Sequence, residues 1–239
     1  MLELAAFLGN PGSGYVHNRH NTGWFLAERL VFYDSLEWKK KFNGLYAVIE
    51  SARLPELSTD ENSTLDENNK LLVREPAAGN VVSLPEKIHF LKPQTYMNRS
   101  GEPVSKAASF FKIKPEKIIV IHDELELALG TISLKFGGGL GGHNGLRSMK
   151  ACLGTADFWR LRVGIGRPDD RLPGQGGREG SGVGIVDWVL SDFTREEMEN
   201  LEPALRAAAD LFHKIILFGP ENFLPEYAKK KIIEPAPIN

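Results

Sequence analysis

The sequence predicts one α/β domain, in which helices flank both faces of a twisted mixed sheet. Short apolar runs, of the kind buried in sheets, alternate along the chain with segments whose apolar residues recur at helical spacing. The chain has 239 residues, enough for a large self-supporting core. Its 42% hydrophobic and 25% charged residues are those of a globular protein, which argues against a disordered or fibrous chain.

The elements follow in a regular order. A buried strand over Leu4–Leu8 ends at a Gly/Pro turn, and a helix is expected from His20 to about Phe32, where Trp24, Ala27 and Val31 fall on one row. Further strands are predicted at Leu45–Ile49, Lys87–Leu91, Ile118–Ile121, Thr131–Phe136 and Leu161–Ile165. Further helices are predicted at Pro103–Phe111, Gly145–Leu153 and Thr194–Phe218.

Two segments interrupt this order. The stretch 54–83 is acidic, turn-rich and poor in aromatic residues, which predicts a surface insertion, either a solvated loop or a loose hairpin. The stretch 167–182 is rich in Gly, Pro, Asp and Arg, which predicts a flexible loop. We expect both to belong to one domain that covers residues 1–239.

Charge and composition limit the possible partners. The formal net charge is −2 and the pI is near 6.3, so the chain does not have the overall basic character of many nucleic-acid binders. A local basic patch remains possible, because residues 133–178 contain eight Lys and Arg residues but only three Asp. The single cysteine, Cys152, excludes an internal disulfide and a Cys-rich zinc site.

The first residues are apolar but include Glu3 and no basic segment, unlike an export signal. No run of about 18 apolar residues is present, as a membrane-spanning helix would need. A cytoplasmic protein without a membrane anchor is therefore expected.

Several common motifs are absent. Gly9-Asn10-Pro11-Gly12-Ser13-Gly14 follows a strand, but a dinucleotide-binding loop would need glycine where His17 stands. The phosphate-binding loop, zinc-protease and serine-hydrolase motifs do not occur. His17, His20, Asp123 and His143 could supply metal ligands, but the neighbouring polar residues are mainly Asn and Arg, so we expect neither a metal nor another cofactor.

Polar residues instead collect where strands end and helices begin, at positions that converge on one edge of an open α/β sheet. They are Asn10, His20, Asn21, Asn98, Asp123, His143 and Asn144. A histidine can take a proton near neutral pH, and a carboxylate on its second nitrogen would orient it, so His20 and Asp123 would form a base and its partner. Asparagine amides could hold an acyl group and an oxyanion without adding charge.

Five ordered blocks resemble those of bacterial-type peptidyl-tRNA hydrolase. They are Leu8-Gly9-Asn10-Pro11-Gly12-x-x-Tyr15 with Arg19-His20-Asn21-x-Gly23; Lys92-Pro93-x-Thr95-x-Met97-Asn98-x-Ser100-Gly101; His122-Asp123-Glu124-Leu125; Gly137-Gly138-Gly139-x-Gly141-Gly142-His143-Asn144-Gly145-Leu146-Arg147; and Arg160-Leu161-Arg162-x-Gly164-Ile165-Gly166-Arg167-Pro168. The resemblance covers most of residues 2–193. The stretches 54–83 and 169–182 and the C-terminal segment depart from it.

The resemblance implies a phosphorylase/hydrolase-like three-layer fold and a monomer. It also implies an enzyme that cleaves the ester between a peptide and the terminal ribose of tRNA, recycling tRNA during translation. By the same resemblance His20 is the general base, Asp123 orients it, and Asn98 places the water and stabilises the oxyanion. The substrate and tRNA contacts that it implies are Asn10, Tyr15, Met97, His143 and Asn144 in the cleft, and Lys135 and Arg162, which clamp the terminal 5′ phosphate of the acceptor stem. Gly137–Gly142 would form a mobile lid.

Two alternatives stay open. Relatives that resemble this family serve in organellar RNA splicing, so the chain could be a non-catalytic RNA-binding protein on the same fold; retention of His20, Asp123 and the three asparagines favours the enzyme. The third hypothesis, a metal-dependent esterase for small substrates, predicts loss of activity in a chelator.

Overall fold

The computed structural model describes residues 1–54, 63–65, 71–74, 81–168 and 184–232. Its main sheet has eight strands in the order β11-β9-β10-β8-β1-β7-β3-β2, and a separate sheet has the order β4-β5-β6. The strands are β1 Leu4–Phe7, β2 Lys39–Lys41, β3 Gly44–Glu50, β4 Ser63–Leu65, β5 Leu71–Arg74, β6 Val81–Ser83, β7 Lys87–Pro93, β8 Ile118–Glu124, β9 Thr131–Phe136, β10 Trp159–Gly164 and β11 Lys230–Lys231. The helices are α1 Thr22–Ala27, α2 Gly101–Phe111, α3 Asn144–Leu153, α4 Ile185–Leu190, α5 Arg195–Phe218 and α6 Leu224–Tyr227.

Helices cover both faces of the main sheet, which confirms the predicted fold class. Alternate residues of each strand face opposite sides. Phe7 and Ile121 belong to a core with α1 and α5, whereas Leu8 and Val120 belong to a second core with α2 and α3. The sheet is the middle one of three layers.

The central strands run parallel and position the site. β1 pairs in parallel with β7 on one side and β8 on the other, and β8 pairs in parallel with β10. The loop after β1 and the carboxyl end of β8 therefore lie at the same edge of the sheet. β9 pairs antiparallel to β10 and makes the sheet mixed.

The helix expected over His20–Phe32 is shorter than predicted. A 3₁₀ turn at Arg19–Asn21 precedes α1, and α1 ends at Ala27. Hydrogen bonds of the i to i−3 type follow, from Arg29 N–H to Leu26 and from Leu30 N–H to Ala27. This tighter path leaves Val31 69% exposed while Phe32 is buried, whereas a continued helix would have placed Val31 on the row of Ala27.

The acidic insertion contains more structure than a loose hairpin. Three short strands, β4 to β6, pair antiparallel there. Residues 55–62, 66–70 and 75–80 lie outside the described residues, as does most of the predicted loop 167–182, since 169–183 are not described. The assignment of all 239 residues to one domain stays a prediction.

No helix among the described residues is long and apolar enough to cross a bilayer.

Close packing of α2 on α3 leads to a stability prediction. Gly101 begins α2, its N–H donates to Ser148 Oγ at 3.0 Å, and a Cβ built on it would lie 2.2 Å from the Ser148 carbonyl oxygen. Gly101→Ala should therefore lower the free energy of unfolding by about 3 kcal/mol, because backbone of α3 must move. Urea denaturation measures this, with Gly14→Ala as the control, since a Cβ on Gly14 meets nothing within 4 Å. Equal stabilities of the two variants would contradict the packing described.

Candidate active site

His20 and Asp123 meet at the carboxyl edge of the sheet. His20 lies in the 3₁₀ turn before α1, and Asp123 is the sixth residue of β8. Nδ1 of His20 is 3.0 and 2.9 Å from the two carboxylate oxygens of Asp123. Because a carboxylate only accepts hydrogen bonds, Nδ1 carries the proton and Nε2 of His20 keeps its lone pair. The sequence placed Asp123 just beyond its strand, whereas it lies within β8.

Asp123 is 1% exposed and ionised. Burial alone would raise its pKa, but the electrostatic attraction and hydrogen bonds of His20 and His143 outweigh that effect and hold the pKa of Asp123 well below its usual range. The carboxylate is therefore charged throughout the neutral range.

His143 is the second imidazole on this carboxylate. It caps the N-terminus of α3, where its Nδ1 accepts hydrogen bonds from the backbone N–H groups of Gly145 at 3.1 Å and Leu146 at 3.3 Å. Nε2 of His143 must then donate to Asp123 Oδ1, 3.1 Å away. Both nitrogens of His143 are used, so of the two rings only His20 keeps a lone pair for a proton.

A third histidine, His122, is fully buried behind this pair. Its Nδ1 donates to the Asp123 carbonyl oxygen at 2.6 Å, and its ring centroid is 4.9 Å from that of His143. Burial first, and then the neighbouring His143, lowers the pKa of His122 well below its ordinary value. His122 is therefore a neutral packing partner.

Asn10 joins the loop after β1 to the loop after β7. Its Oδ1 accepts from the Met97 N–H at 2.7 Å, which fixes the amide orientation and leaves Nδ2 as a donor. Asn21 holds the backbone of Asn10 from both sides: Oδ1 accepts the Asn10 N–H at 2.7 Å, and Nδ2 donates to the Asn10 carbonyl at 3.2 Å. Nδ2 of Asn21 also donates to the Tyr15 carbonyl at 2.7 Å, which fixes the turn that carries Tyr15.

Asn98 and Asn144 are exposed; Asn98 is the second residue of the 3₁₀ turn Met97–Arg99, and Asn144 is the first residue of α3. Among the described residues, no hydrogen bond links either side chain to His20 or Asp123; Asn144 Oδ1 accepts only a long bond from Arg147 at 3.5 Å. Met97 is 3% exposed, and its Sδ would lie 2.6 Å from a Cβ on Gly145, so it packs as a wall between two loops.

The predicted cations lie further along the sheet. Lys135 on β9 is opposite Arg160 on β10, and Arg162 is two residues beyond Arg160 on the same face. Arg162 donates to Ser133 Oγ at 2.6 Å and to Glu124 Oε2 at 3.3 Å. The structure thus brings Lys135 and Arg162 together on β9 and β10, and Arg162 is opposite His122 of β8 in the strand register.

One group of side chains in the described part of the chain could hold a metal ion, namely His20, Asp123 and His143, whose ligand atoms lie within 4.8 Å of one another. Two of the nitrogens in this group, His20 Nδ1 and His143 Nε2, already share protons with Asp123. An ion there would compete with those protons.

Sequence reasoning missed four features of this region: the bond of His143 to Asp123, the role of Asn21, the anchoring of Arg19, and the aromatic pair of Tyr15 with Tyr96. Tyr96 is 59% exposed and packs edge-on against Tyr15, with ring centroids 6.2 Å apart. For Asn21 and Arg19, the sequence feature that could have revealed their roles was their position directly next to His20. Nothing in the sequence pattern singled out Tyr96.

Arg19 anchors the turn that carries His20. Its guanidinium is buried 3.8 Å from the Trp188 ring centroid, and Nη1 donates to Ser191 Oγ at 3.0 Å. Nη2 donates to both carboxylate oxygens of Glu197 on α5, at 2.7 and 2.6 Å. The residue next to His20 is thus fixed to α5.

The fold and site define a class: an α/β protein that holds an imidazole against a buried carboxylate at the carboxyl edge of its sheet, an arrangement suited to general-base hydrolysis. Comparison with known proteins narrows the class. The model of the family described as "Peptidyl-tRNA hydrolase" matches residues 4–235. A peptidyl-tRNA hydrolase of Treponema pallidum (strain Nichols) is 40% identical over 235 residues, which are 97% of each chain.

Solved structures agree. Peptidyl-tRNA hydrolase from Acinetobacter baumannii superposes with a TM-score of 0.65 at 29% identity, over 95% of this chain and 92% of that one. A complex of peptidyl-tRNA hydrolase with N-propanol gives a TM-score of 0.63 at the same identity and coverage. The chain belongs to the peptidyl-tRNA hydrolase family. The family match reaches residue 235, so it includes the C-terminal segment in which the sequence motifs showed no resemblance.

The Arg19 anchor predicts an effect on turnover. Glu197→Gln removes the charge that holds Arg19 and should lower kcat about tenfold with KM unchanged, because small displacements of a base are costly. Steady-state hydrolysis of N-acetylated aminoacyl-tRNA measures this. The control is Glu202→Gln, which removes the partner of Arg29 (2.6 Å) from the same helix α5 without touching the His20 turn. Equal losses of kcat in both variants would show that Glu197 acts only through stability.

Proposed function

We propose that the protein hydrolyses the ester between a peptide and the terminal ribose of tRNA, with water activated by His20, and so returns tRNA to translation. Family membership supports the reaction. The observation that carries the mechanism is the bond of His20 Nδ1 to Asp123, at 2.9 Å, which leaves Nε2 as the proton acceptor.

The steps follow from this geometry. Nε2 of His20 takes a proton from water while the oxygen attacks the ester carbonyl carbon, and Asp123 stabilises the resulting imidazolium. The tetrahedral intermediate carries its negative charge on the former carbonyl oxygen. When it collapses, the bond from carbon to the ribose oxygen breaks, and that oxygen receives the proton from His20. The peptide leaves as a carboxylic acid, which releases its proton to solvent to become a carboxylate, and the tRNA leaves with a free hydroxyl.

We assign Asn98 to placing the water and stabilising the oxyanion, and Asn10, Asn144, Tyr15, Met97 and His143 to the substrate side of the cleft. Asn98 and Asn144 are exposed at the carboxyl edge with their amides available. His143 acts indirectly, through its hydrogen bond to Asp123.

Asn10 offers a means to distinguish peptidyl from aminoacyl esters. Its Nδ2 donor would pair with the carbonyl of an acylated amine, but it has nothing to offer a charged ammonium. A buried donor left without a partner costs about 1–3 kcal/mol, which favours the N-acylated substrate.

We assign Lys135 and Arg162 to the 5′ phosphate of the acceptor stem. They are neighbours on β9 and β10, and backbone contacts of this kind accept many tRNA sequences. We further propose that the protein acts as a monomer, in the cytoplasm where its substrate is made, and without a metal ion. A non-catalytic RNA-binding role is not favoured, because a buried base with an ionised partner serves no purpose in RNA binding alone.

The direct test is hydrolysis of N-acetylated aminoacyl-tRNA by the wild-type protein and His20→Ala. Loss of the base should lower kcat by roughly 10²- to 10⁴-fold. His17→Ala is the matched control, since His17 is exposed three residues away. Activity of the wild type should be unchanged in a chelator. Full activity of His20→Ala, or loss in the chelator, would contradict the mechanism.

Selectivity tests the role of Asn10. Asn10→Asp keeps an oxygen for the Met97 N–H but replaces the Nδ2 donor by an oxygen that attracts an ammonium. We expect the ratio of kcat/KM for N-acetylated over free aminoacyl-tRNA to fall by about tenfold or more, in line with loss of one hydrogen bond. Asn21→Asp is the control, because it alters the amide that holds the Asn10 backbone. An equal fall of the ratio in this variant would indicate a displaced loop rather than a lost contact between Asn10 and the substrate. An unchanged ratio in Asn10→Asp would remove Asn10 from substrate selection.

Salt dependence tests the cation assignment. Lys135→Ala should lower the slope of log binding constant against log salt by about one unit, because one fewer phosphate is neutralised. Lys40→Ala, on the edge strand β2 at the far side of the sheet, should leave the slope unchanged. Identical slopes in the wild type and Lys135→Ala would place the RNA elsewhere.

A further inference from the structure

Arg160 is a buried arginine with unused hydrogen-bond donors. Its side chain lies on β10, and the residue is 1% exposed. Nη1 donates to the Gly139 carbonyl at 2.7 Å, but Nε and Nη2 have no hydrogen-bond partner among the residues that the structure describes. Burying a guanidinium without partners costs free energy, so these two nitrogens can donate to an acceptor that the described residues do not supply.

The surroundings of Arg160 are positively charged. Lys135 stands opposite Arg160 in the strand register, and Arg162 is on the same face of β10. Burial lowers the pKa of Arg160, and the charge of Arg162 lowers it further; burial and both arginines act on Lys135 in the same way. Among the described residues, Glu124 is the one carboxylate that pairs with Arg162 and whose charge raises the pKa of Lys135 and Arg160. Three cations facing one carboxylate leave an excess of about two positive charges.

This excess fits a terminal phosphate better than an internal one. A phosphate monoester carries about −1.5 to −2 charges at neutral pH, whereas each internal diester carries one. A guanidinium can donate two parallel hydrogen bonds to phosphate oxygens, and Nε together with Nη2 forms one such fork. A tRNA presents a phosphate monoester at its 5′ end.

Arg160 also contacts the glycine segment Gly137–Gly142. Nη1 holds the Gly139 carbonyl, and a Cβ on Gly138 would lie 3.7 Å from Nη2 and 3.5 Å from Lys135 Nζ, so this backbone lies beside the unused donors. One residue further on, the Leu140 carbonyl accepts the His143 N–H at 3.0 Å. The segment held by Arg160 thus leads directly to the imidazole that binds Asp123.

We propose that Arg160 is the third ligand of the 5′-terminal phosphate, with Lys135 and Arg162, and that through Gly139 it holds the glycine segment in place around that phosphate. The proposal rests on the proposed function in that it takes tRNA as the ligand. Its consequence is that phosphate binding and the order of the segment beside His143 are linked through one side chain.

Binding of deacylated tRNA tests the proposal without requiring hydrolysis. Two forms of one tRNA, with a 5′ phosphate or a 5′ hydroxyl, are titrated against the wild type, Arg160→Met, Arg160→Lys and Lys150→Ala. We expect the wild type to bind the phosphorylated form about tenfold more tightly, as loss of charge-assisted hydrogen bonds implies. Arg160→Met should reduce this ratio to about two, and Arg160→Lys, which keeps the charge but not the fork, should give an intermediate ratio.

Lys150→Ala is the control for general electrostatics, since Lys150 is an exposed cation on α3; it should weaken both forms equally and keep the ratio. Hydrogen exchange provides the second readout: the amides of 137–142 should be protected by the phosphorylated tRNA in the wild type but not in Arg160→Met. A ratio preserved in both Arg160 variants while Lys135→Ala abolishes it would overturn the proposal. Wild-type protein that binds tRNA with this ratio but hydrolyses no ester would instead refute the proposed function alone.

Discussion

The buried carboxylate of Asp123 must stay ionised beside two imidazole rings, and the rest of the active site depends on how the protein satisfies this requirement. Burial favours the neutral carboxyl group, but the two hydrogen-bonded imidazole rings favour the ionised carboxylate more strongly. The rings are not equivalent. His143 uses its other nitrogen to cap α3, whereas Nε2 of His20 has no hydrogen-bond partner among the described residues, so one carboxylate holds one fixed ring and one ring that can accept a proton. The parallel pairing of β1 and β8 brings these residues together.

Charge is distributed unevenly over the carboxyl edge of the sheet. The loop after β1 carries the neutral amide of Asn10, which is fixed in orientation by Met97 and held by Asn21. The cations Lys135, Arg160 and Arg162 are placed on β9 and β10, and β10 is the neighbour of β8. The chain therefore has a local group of cations although its net charge is −2.

Much of this arrangement could be predicted from the sequence. The strands at Ile118–Glu124 and Thr131–Phe136 have strong β-branched or alternating patterns, and the pair of His20 and Asp123 followed from polar residues placed where strands end. Other features depend on tertiary contacts. The early end of α1 reflects burial of Phe32 against Phe90, with ring centroids 5.6 Å apart, and the strand β2, three consecutive lysines, exists because β3 pairs with it. The sharing of Asp123 by two rings, and the unused donors of Arg160, could not be read from spacing, because they depend on the direction of side chains.

The central claim is that Asp123 fixes the proton of His20 on Nδ1 and leaves Nε2 unprotonated. Nitrogen-15 NMR of histidine-labelled protein with neutral rings measures this directly, because protonated and unprotonated ring nitrogens differ strongly in chemical shift. The account predicts the Nδ1–H tautomer for His20 in the wild type and its loss in Asp123→Asn. A wild-type His20 that carries its proton on Nε2 would contradict the account, since no lone pair would then face the water.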